Sequence, residues 1–251
     1  MSSHLFYGSY GTGKTTLAAR FIELGYTVHI IDTDKKALRM HNLQPLFSKG
    51  LSVETINEPL CTNLEKRVKS FTTPTAGKPA GLLKVVDIIN REANEPSADV
   101  VVLDSMTRLA DHMKRYILHM SGKVKFEFDE WAAWLQIWED LIDTFVSIPC
   151  THQILIGHER AVQDDVTGKV EYRVAIEGQF SDRVGTYLEE IYYCFVETGR
   201  DTAKFMIQTK PDKKKAARTC YELPTVIEVD EYLRRLKSLR RKEGGEISEK
   251  S

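Results

Sequence analysis

The sequence predicts an α/β fold, a mostly parallel central sheet with helices on both faces. Three observations carry that expectation. Gly8-Ser9-Tyr10-Gly11-Thr12-Gly13-Lys14-Thr15 is a complete G-x-x-x-x-G-K-[ST] phosphate-binding loop, set between an apolar run and a helix-like stretch. Strand-like and helix-like segments alternate along the rest of the chain. Val100-Val101-Val102-Leu103-Asp104 is aliphatic at every position before its last, as expected for a strand in the middle of a parallel sheet.

Taken in order, His4-Leu5-Phe6-Tyr7 is the strand that feeds the loop, and residues 16–22 are the helix that leaves it. Residues 27–32 are β-branched and end in acid, which reads as a second strand. Residues 60–82 hold Pro74, Gly77, Pro79 and Gly81 among threonines and read as a flexible loop. Residues 82–92 have helical spacing, with Leu82, Val85, Val86 and Ile89 on one face. Trp131, Trp134 and Trp138 also recur at helical spacing, joined by Leu135, Leu141, Ile142 and Phe145. A face buried in the core or a subunit interface explains that stripe better than a stacking platform for bases. Further strands are expected at residues 153–157, 191–197 and 204–210, with a loop or hairpin over 160–178 around Asp164, Asp165, Thr167 and Gly168. Residues 230–242 read as a basic helix broken by Glu243-Gly244-Gly245, and the last residues as disordered. The expected organisation is one domain over residues 1–225, then a basic helix and tail over 226–251.

The chain has 251 residues, 42% hydrophobic and 28% charged, enough for one large core or two small ones. It lacks an 18-residue apolar run, and its first strand starts too early for a signal peptide, so a cytoplasmic protein without a membrane partner is expected. A net charge of −1 excludes a polycation, so nucleic-acid contact must come from local patches. Cys61, Cys150, Cys194 and Cys220 form no C-x-x-C pair and read as free buried thiols in a reducing compartment. His112 and His119 could share a helix face, but no other ligand residue joins them in a zinc pattern.

The loop points to a nucleoside triphosphate. Its glycines let backbone N–H groups turn inward around phosphate oxygens, and the following helix N-terminus adds partial positive charge. The contacting set is Gly8, Ser9, Tyr10, Gly11, Thr12, Gly13, Lys14, Thr15 and Thr16, with ATP and Mg²⁺ as the expected cofactors. Lys14 is the residue to reach the β- and γ-phosphates, and Thr15 the one to ligate Mg²⁺. Asp104, at the end of its aliphatic strand, is the carboxylate expected to hold the metal through water. Hydrolysis also needs a base or water-positioning group. Asp32 and Asp34 both qualify; one is expected to cap the following turn and the other to act in catalysis, and spacing does not choose.

Asp104-Ser105-Met106-Thr107-Arg108-Leu109 resembles the second nucleotide motif of the RecA/RadA superfamily. Ile30-Ile31-Asp32-Thr33-Asp34-Lys35-Lys36-Ala37-Leu38 is similar to the superfamily segment that carries the catalytic glutamate. Ile154-Leu155-Ile156-Gly157-His158-Glu159-Arg160, with Gly168 and Ile176-Glu177-Gly178, resembles the small phage-encoded RecA-like ATPases of single-strand annealing and recombination. The resemblance covers roughly residues 3–225, and its two sharp motifs are the phosphate loop and Asp104-Ser105. It implies a RecA-like P-loop NTPase core, with Asp34 in the catalytic position and His158 where a switch residue senses the γ-phosphate. The family has glutamate at the Asp34 position, one methylene longer. The resemblance also implies a homo-oligomer, ring or filament, in which Lys210 and Lys213 act as fingers on a neighbour's γ-phosphate. A single-strand-binding protein is a further partner that it admits, and a phage origin would place the protein in the host cytoplasm.

Two basic segments could flank a DNA path. Lys114, Arg115, Lys123 and Lys125 interleave with Tyr116 and precede Phe126 and Phe128; Lys169, Tyr172 and Arg173 lie among Asp164, Asp165 and Glu171. Cations would neutralise phosphates and aromatics would stack on bases. The basic C-terminal helix reads first as a solvated face. The expected function is therefore a DNA-dependent ATPase that binds single-stranded DNA and promotes annealing or recombination. Two other classes share the loop. One is a nucleoside or small-molecule kinase, with residues 204–218 as its lid. The other is an ATP-gated interaction module such as a helicase loader, which the shorter Asp34 would suit.

Overall fold

The computed structural model describes residues 1–61, 68–69, 79–163, 168–199 and 202–248, with the backbone alone beyond residue 240. Nine strands are described: β1 (Ser2–Gly8), β2 (Val28–Asp32), β3 (Leu51–Thr55), β4 (Val100–Asp104), β5 (His152–Gln163), β6 (Val170–Val174), β7 (Glu190–Thr198), β8 (Ala203–Gln208) and β9 (Val226–Glu228). The sheet runs β3-β2-β4-β5-β1-β7-β8-β9, and β6 pairs with the far end of β5. Every pairing from β3 to β7 is parallel, while β8, β9 and β6 join antiparallel. The mostly parallel sheet is thus the one the sequence predicts.

Side-chain alternation divides the core into two layers. Leu5, Tyr7, Ile31, Val101, Leu103 and Leu155 face one side; Phe6, Ile30, Val100, Val102, Ile154 and Ile156 face the other. Both sides are covered, which is why β4 is aliphatic up to Asp104 and fully buried. The first layer is roofed by three helices, Gly81–Asn94, Met106–Ser121 and Phe128–Val146. The second is roofed by Lys14–Ala19, its 3₁₀ continuation Arg20–Leu24, the short helix Gln44–Phe47 and the C-terminal helix Val229–Ser248.

Local chemistry sets several of these boundaries. The Ser105 hydroxyl caps helix Met106–Ser121 by accepting from Arg108 N at 3.3 Å, and Gly122 ends it at φ 69°. Helix Phe128–Val146 opens on a reciprocal capping box between Glu127 and Glu130. Its Trp134 and Trp138 are buried, Trp138 stacked on Phe180 at 5.1 Å, so these two belong to the core as expected.

Several expectations are corrected. Lys114, Arg115 and Tyr116 lie on helix Met106–Ser121, not in a loop, because Leu109, Met113 and Ile117 recur every four residues and bury one face. Gly81 opens a helix instead of closing the preceding loop. The region 160–178 is a hairpin whose arms are the end of β5 and β6. The C-terminal helix runs through Gly244 and Gly245 to Ser248, since glycine weakens a helix by about 1 kcal/mol per residue without forbidding it. Of the four free cysteines only Cys150 and Cys194 are buried; Cys220 is exposed. Pro74, Gly77, Asp164, Asp165 and Thr167 lie outside the described residues, as do residues 249–251. Among the described residues no helix is long and apolar enough to cross a membrane.

The stacked tryptophan provides a stability test. Trp138→Ala should lower the free energy of unfolding by about 3–5 kcal/mol, against less than about 1 kcal/mol for Ala at half-exposed Trp131, read from urea denaturation curves.

Candidate nucleotide site

Strand register brings the site together. Gly8 is level with His158, His158 lies two residues beyond Ile156, and Ile156 is level with Asp104, itself level with Asp32. β5 therefore stands between the phosphate-loop strand and the Asp104 strand, and its exit lies between them.

Gly8 has φ 148° and abuts the Cys194 carbonyl oxygen, which a Cβ would approach to 2.1 Å, so no side chain is tolerated where the loop leaves the sheet. Gly11 and Gly13 both sit at φ 78°. Lys14 is buried, and its Nζ donates to the carbonyls of Gly8 (2.9 Å) and Ser9 (2.6 Å) and to Thr12 Oγ1 (3.1 Å). Thr15 Oγ1 donates to Asp104 Oδ2 at 2.5 Å, closing the loop onto β4.

The two aspartates are placed differently. Asp32 Oδ2 accepts from the Ala37 backbone N–H at 2.9 Å and is buried beneath the turn that it caps. Asp34 instead turns toward the cleft. Its Oδ1 accepts from Ser105 Oγ at 3.1 Å, and its Oδ2 lies 3.6 Å from His158 Nε2 and 3.8 Å from Lys36 Nζ. Lys35, at φ 61°, follows Asp34 in the same turn, with its Nζ donating to the Asn57 carbonyl. The loop, Asp34, Lys36, Asp104 and His158 border a cleft of about 180 Å³.

A family model described as an AAA domain matches residues 2–221. The chain belongs to that family. No curated protein matches it. Among solved structures it is similar to the flagellar accessory protein FlaH of Methanocaldococcus jannaschii, at 14% identity and TM-score 0.46, over 90% of this chain and 84% of that one. A KaiC-like protein of Pyrococcus horikoshii is similar at 14% identity and TM-score 0.44, over 90% and 88%. Membership of the AAA-domain family supports the RecA-like P-loop ATPase core expected from the motifs.

The AAA domain holds its carboxylates in different electrostatic states. Burial pushes the Asp104 carboxyl up from 3.8 to about 6, against the Thr15 hydrogen bond. Burial also raises Asp32, against its backbone hydrogen bonds. For Asp34 burial acts upward too, but contact with His158, the charge of Lys36 and the Ser105 hydroxyl outweigh it, holding this carboxyl below the usual range. Burial lowers the Lys14 ammonium, opposed by Cys194, Asp104 and Glu159.

These residues suit a magnesium nucleotide. The positive-φ glycines and the helix N-terminus form a cradle for phosphate oxygens, Lys14 lies at its floor, and Thr15 with Asp104 is a hydroxyl–carboxylate pair of hard oxygen donors for Mg²⁺. The metal would supply neutralisation of phosphate charge.

Lys14, Thr15, Asp34, Asp104 and His158 are thus brought together, as expected. Lys210 and Lys213 are exposed and do not border this cleft. Tyr10 projects from the loop, 86% exposed. The Thr16 hydroxyl accepts from Asn42 Nδ2 at 2.7 Å beside a second cleft of about 190 Å³, which Gly13 and Phe205 help to line. Two contributors escaped the sequence reading. The Thr33 hydroxyl donates to the Ser105 carbonyl and accepts from the Ser105 N–H, tying the β2 exit to the β4 exit. Glu159 accepts from the Ser9 hydroxyl, and its only sequence signal is its place after His158.

Asp104 provides a pH test. Its pKa is higher in the folded state than the ordinary 3.8, so folding takes up a proton between about pH 4 and 6. Its contribution to stability is therefore lost as pH rises through that window, and stays lost above it. In metal-free buffer Asp104→Asn should be more stable than wild type at pH 7 by about 2–3 kcal/mol, with the difference vanishing near pH 4, by denaturation at the two pH values.

Proposed function

We propose that this AAA-domain protein hydrolyses ATP under the control of single-stranded DNA, as a homo-oligomer acting in annealing or recombination. The observation that carries hydrolysis is the placement of Asp34, held by Ser105 and next to His158, at the rim of a cleft floored by Lys14, Thr15 and Asp104. An ionised carboxylate at that rim can orient a water molecule and take its proton. Lys14 places positive charge where negative charge grows on the transferred phosphoryl oxygens. Aspartate carries its carboxylate one methylene short of the glutamate that the RecA/RadA resemblance implies, so slow basal turnover is expected.

The DNA reading is supported by distribution of charge. Lys114 is bound to Glu177, Lys123 to Glu127 and Glu130, and Arg173 to Glu171 and Asp182, so these expected phosphate contacts are already neutralised. Among the described residues, Arg115, Lys125, Lys210 and Lys213 make no ion pair, which leaves them as the stronger candidates. Lys210 and Lys213 lie off their own chain's cleft, as a contact with a neighbour's γ-phosphate requires.

The test is steady-state ATP hydrolysis with and without single-stranded DNA, with Lys14→Ala as the blank. Wild type should be stimulated, and Asp34→Ala should lose about 10²–10⁴-fold in kcat with a smaller change in KM. Turnover indifferent to DNA would overturn this proposal and turn attention to a phosphoryl acceptor or a protein partner.

A further inference from the structure

Glu159 is where β5 changes partners. Through His158 the strand pairs with β1, the last match being Gly8 with His158; from Glu159 it pairs with β6, the first match being Glu159 with Val174. The core sheet therefore hands over to the β5–β6 hairpin between two adjacent residues, and both touch the nucleotide site. His158 approaches Asp34, and Glu159 accepts a hydrogen bond from Ser9, the first loop residue after Gly8.

The phosphate loop is thus pinned on both flanks as it leaves β1. On one side Gly8 abuts the Cys194 carbonyl of β7 with no room for a side chain. On the other, Ser9 is held by a carboxylate of β5. The same carboxylate lies against the Tyr193 hydroxyl. Lys215 Nζ sits 4.2 Å above the Tyr193 ring, and Tyr172 of β6 donates its backbone N–H to the Lys214 carbonyl at 2.7 Å. One half-buried carboxylate therefore joins the loop to the hairpin and to the basic segment that runs beside it. The Glu159 charge also acts on Lys14.

We propose that Glu159 is a positioning residue that couples the phosphate loop to the β5–β6 hairpin, so that nucleotide bound at the loop is expressed as order in β6. The inference rests on the nucleotide reading above but not on DNA binding. A hydrogen bond to a charged acceptor is strong enough for this role, and its loss leaves the loop and hairpin to move independently.

Amide hydrogen exchange of Val170–Val174 in the full-length protein tests the coupling. Wild type, Ser9→Ala, Glu159→Ala and Glu159→Gln are compared with and without AMP-PNP and Mg²⁺, each at a concentration shown by calorimetry to saturate that protein. In wild type, nucleotide should slow β6 exchange by about fivefold or more, and in Ser9→Ala and Glu159→Ala by less than about twofold. Glu159→Gln keeps an acceptor oxygen for Ser9 and should recover at least part of the response, which a purely structural role would not predict. Should Glu159→Ala fail to fold, Ser9→Ala at its exposed position decides the matter. Full slowing in Ser9→Ala, or none in wild type that demonstrably binds AMP-PNP, overturns the coupling alone. Failure of wild type to bind AMP-PNP removes the nucleotide reading, and this inference with it.

Discussion

The parallel register of β4, β5 and β1 is the constraint on which the site depends. Parallel strands end at the same edge, and here that edge receives the phosphate loop from β1, His158 from β5, Asp104 from β4 and Asp34 from the turn after β2. Slipping any of these strands by one residue would turn its side chains to the opposite face, burying Asp104 or His158 in the wrong layer. The two-layer aliphatic core prevents that slip. The Thr15–Asp104 hydrogen bond then locks loop to sheet across the intervening β5.

Crowding three carboxylates at one edge is electrostatically unfavourable, and each is handled in its own way. Asp32 is buried, with its Oδ2 accepting from the backbone of the turn that it caps. Asp104 is buried with a single hydroxyl donor, which leaves its ionised form poorly compensated and suited to a divalent cation. Asp34 is surrounded by His158, Lys36 and Ser105, which favour its ionised form. In the proposed hydrolysis, like groups pushed toward different proton affinities would divide metal binding and proton acceptance between them.

Much of this was legible in the sequence because it is written in local patterns. The phosphate loop, the Val100–Asp104 strand and the tryptophan stripe each carry their own periodicity or spacing, and each lies where expected. What depends on long-range packing was not legible. Asp32 and Asp34 are two residues apart in one local pattern, and what separates them is that Asp34 meets Ser105 and His158, which come from strands distant in the chain. β3 was missed because Leu51-Ser52-Val53-Glu54-Thr55 is a short edge strand with only its first residue buried. The helix at Lys114–Tyr116 was mistaken for a loop because its charges stood out more than the Leu109, Met113, Ile117 spacing beneath them. Glu159 carries no signal beyond its place after His158, since its partner Ser9 is 150 residues away.

The central claim is that the cleft binds a magnesium nucleotide through Lys14, Thr15 and Asp104. Calorimetric titration of ATP into wild type and Thr15→Ala, each with and without Mg²⁺, tests it most directly. The account predicts that Mg²⁺ tightens ATP binding to wild type by about tenfold or more and that Thr15→Ala loses this gain. ATP affinity indifferent to Mg²⁺, or a magnesium effect undiminished in Thr15→Ala, would contradict it.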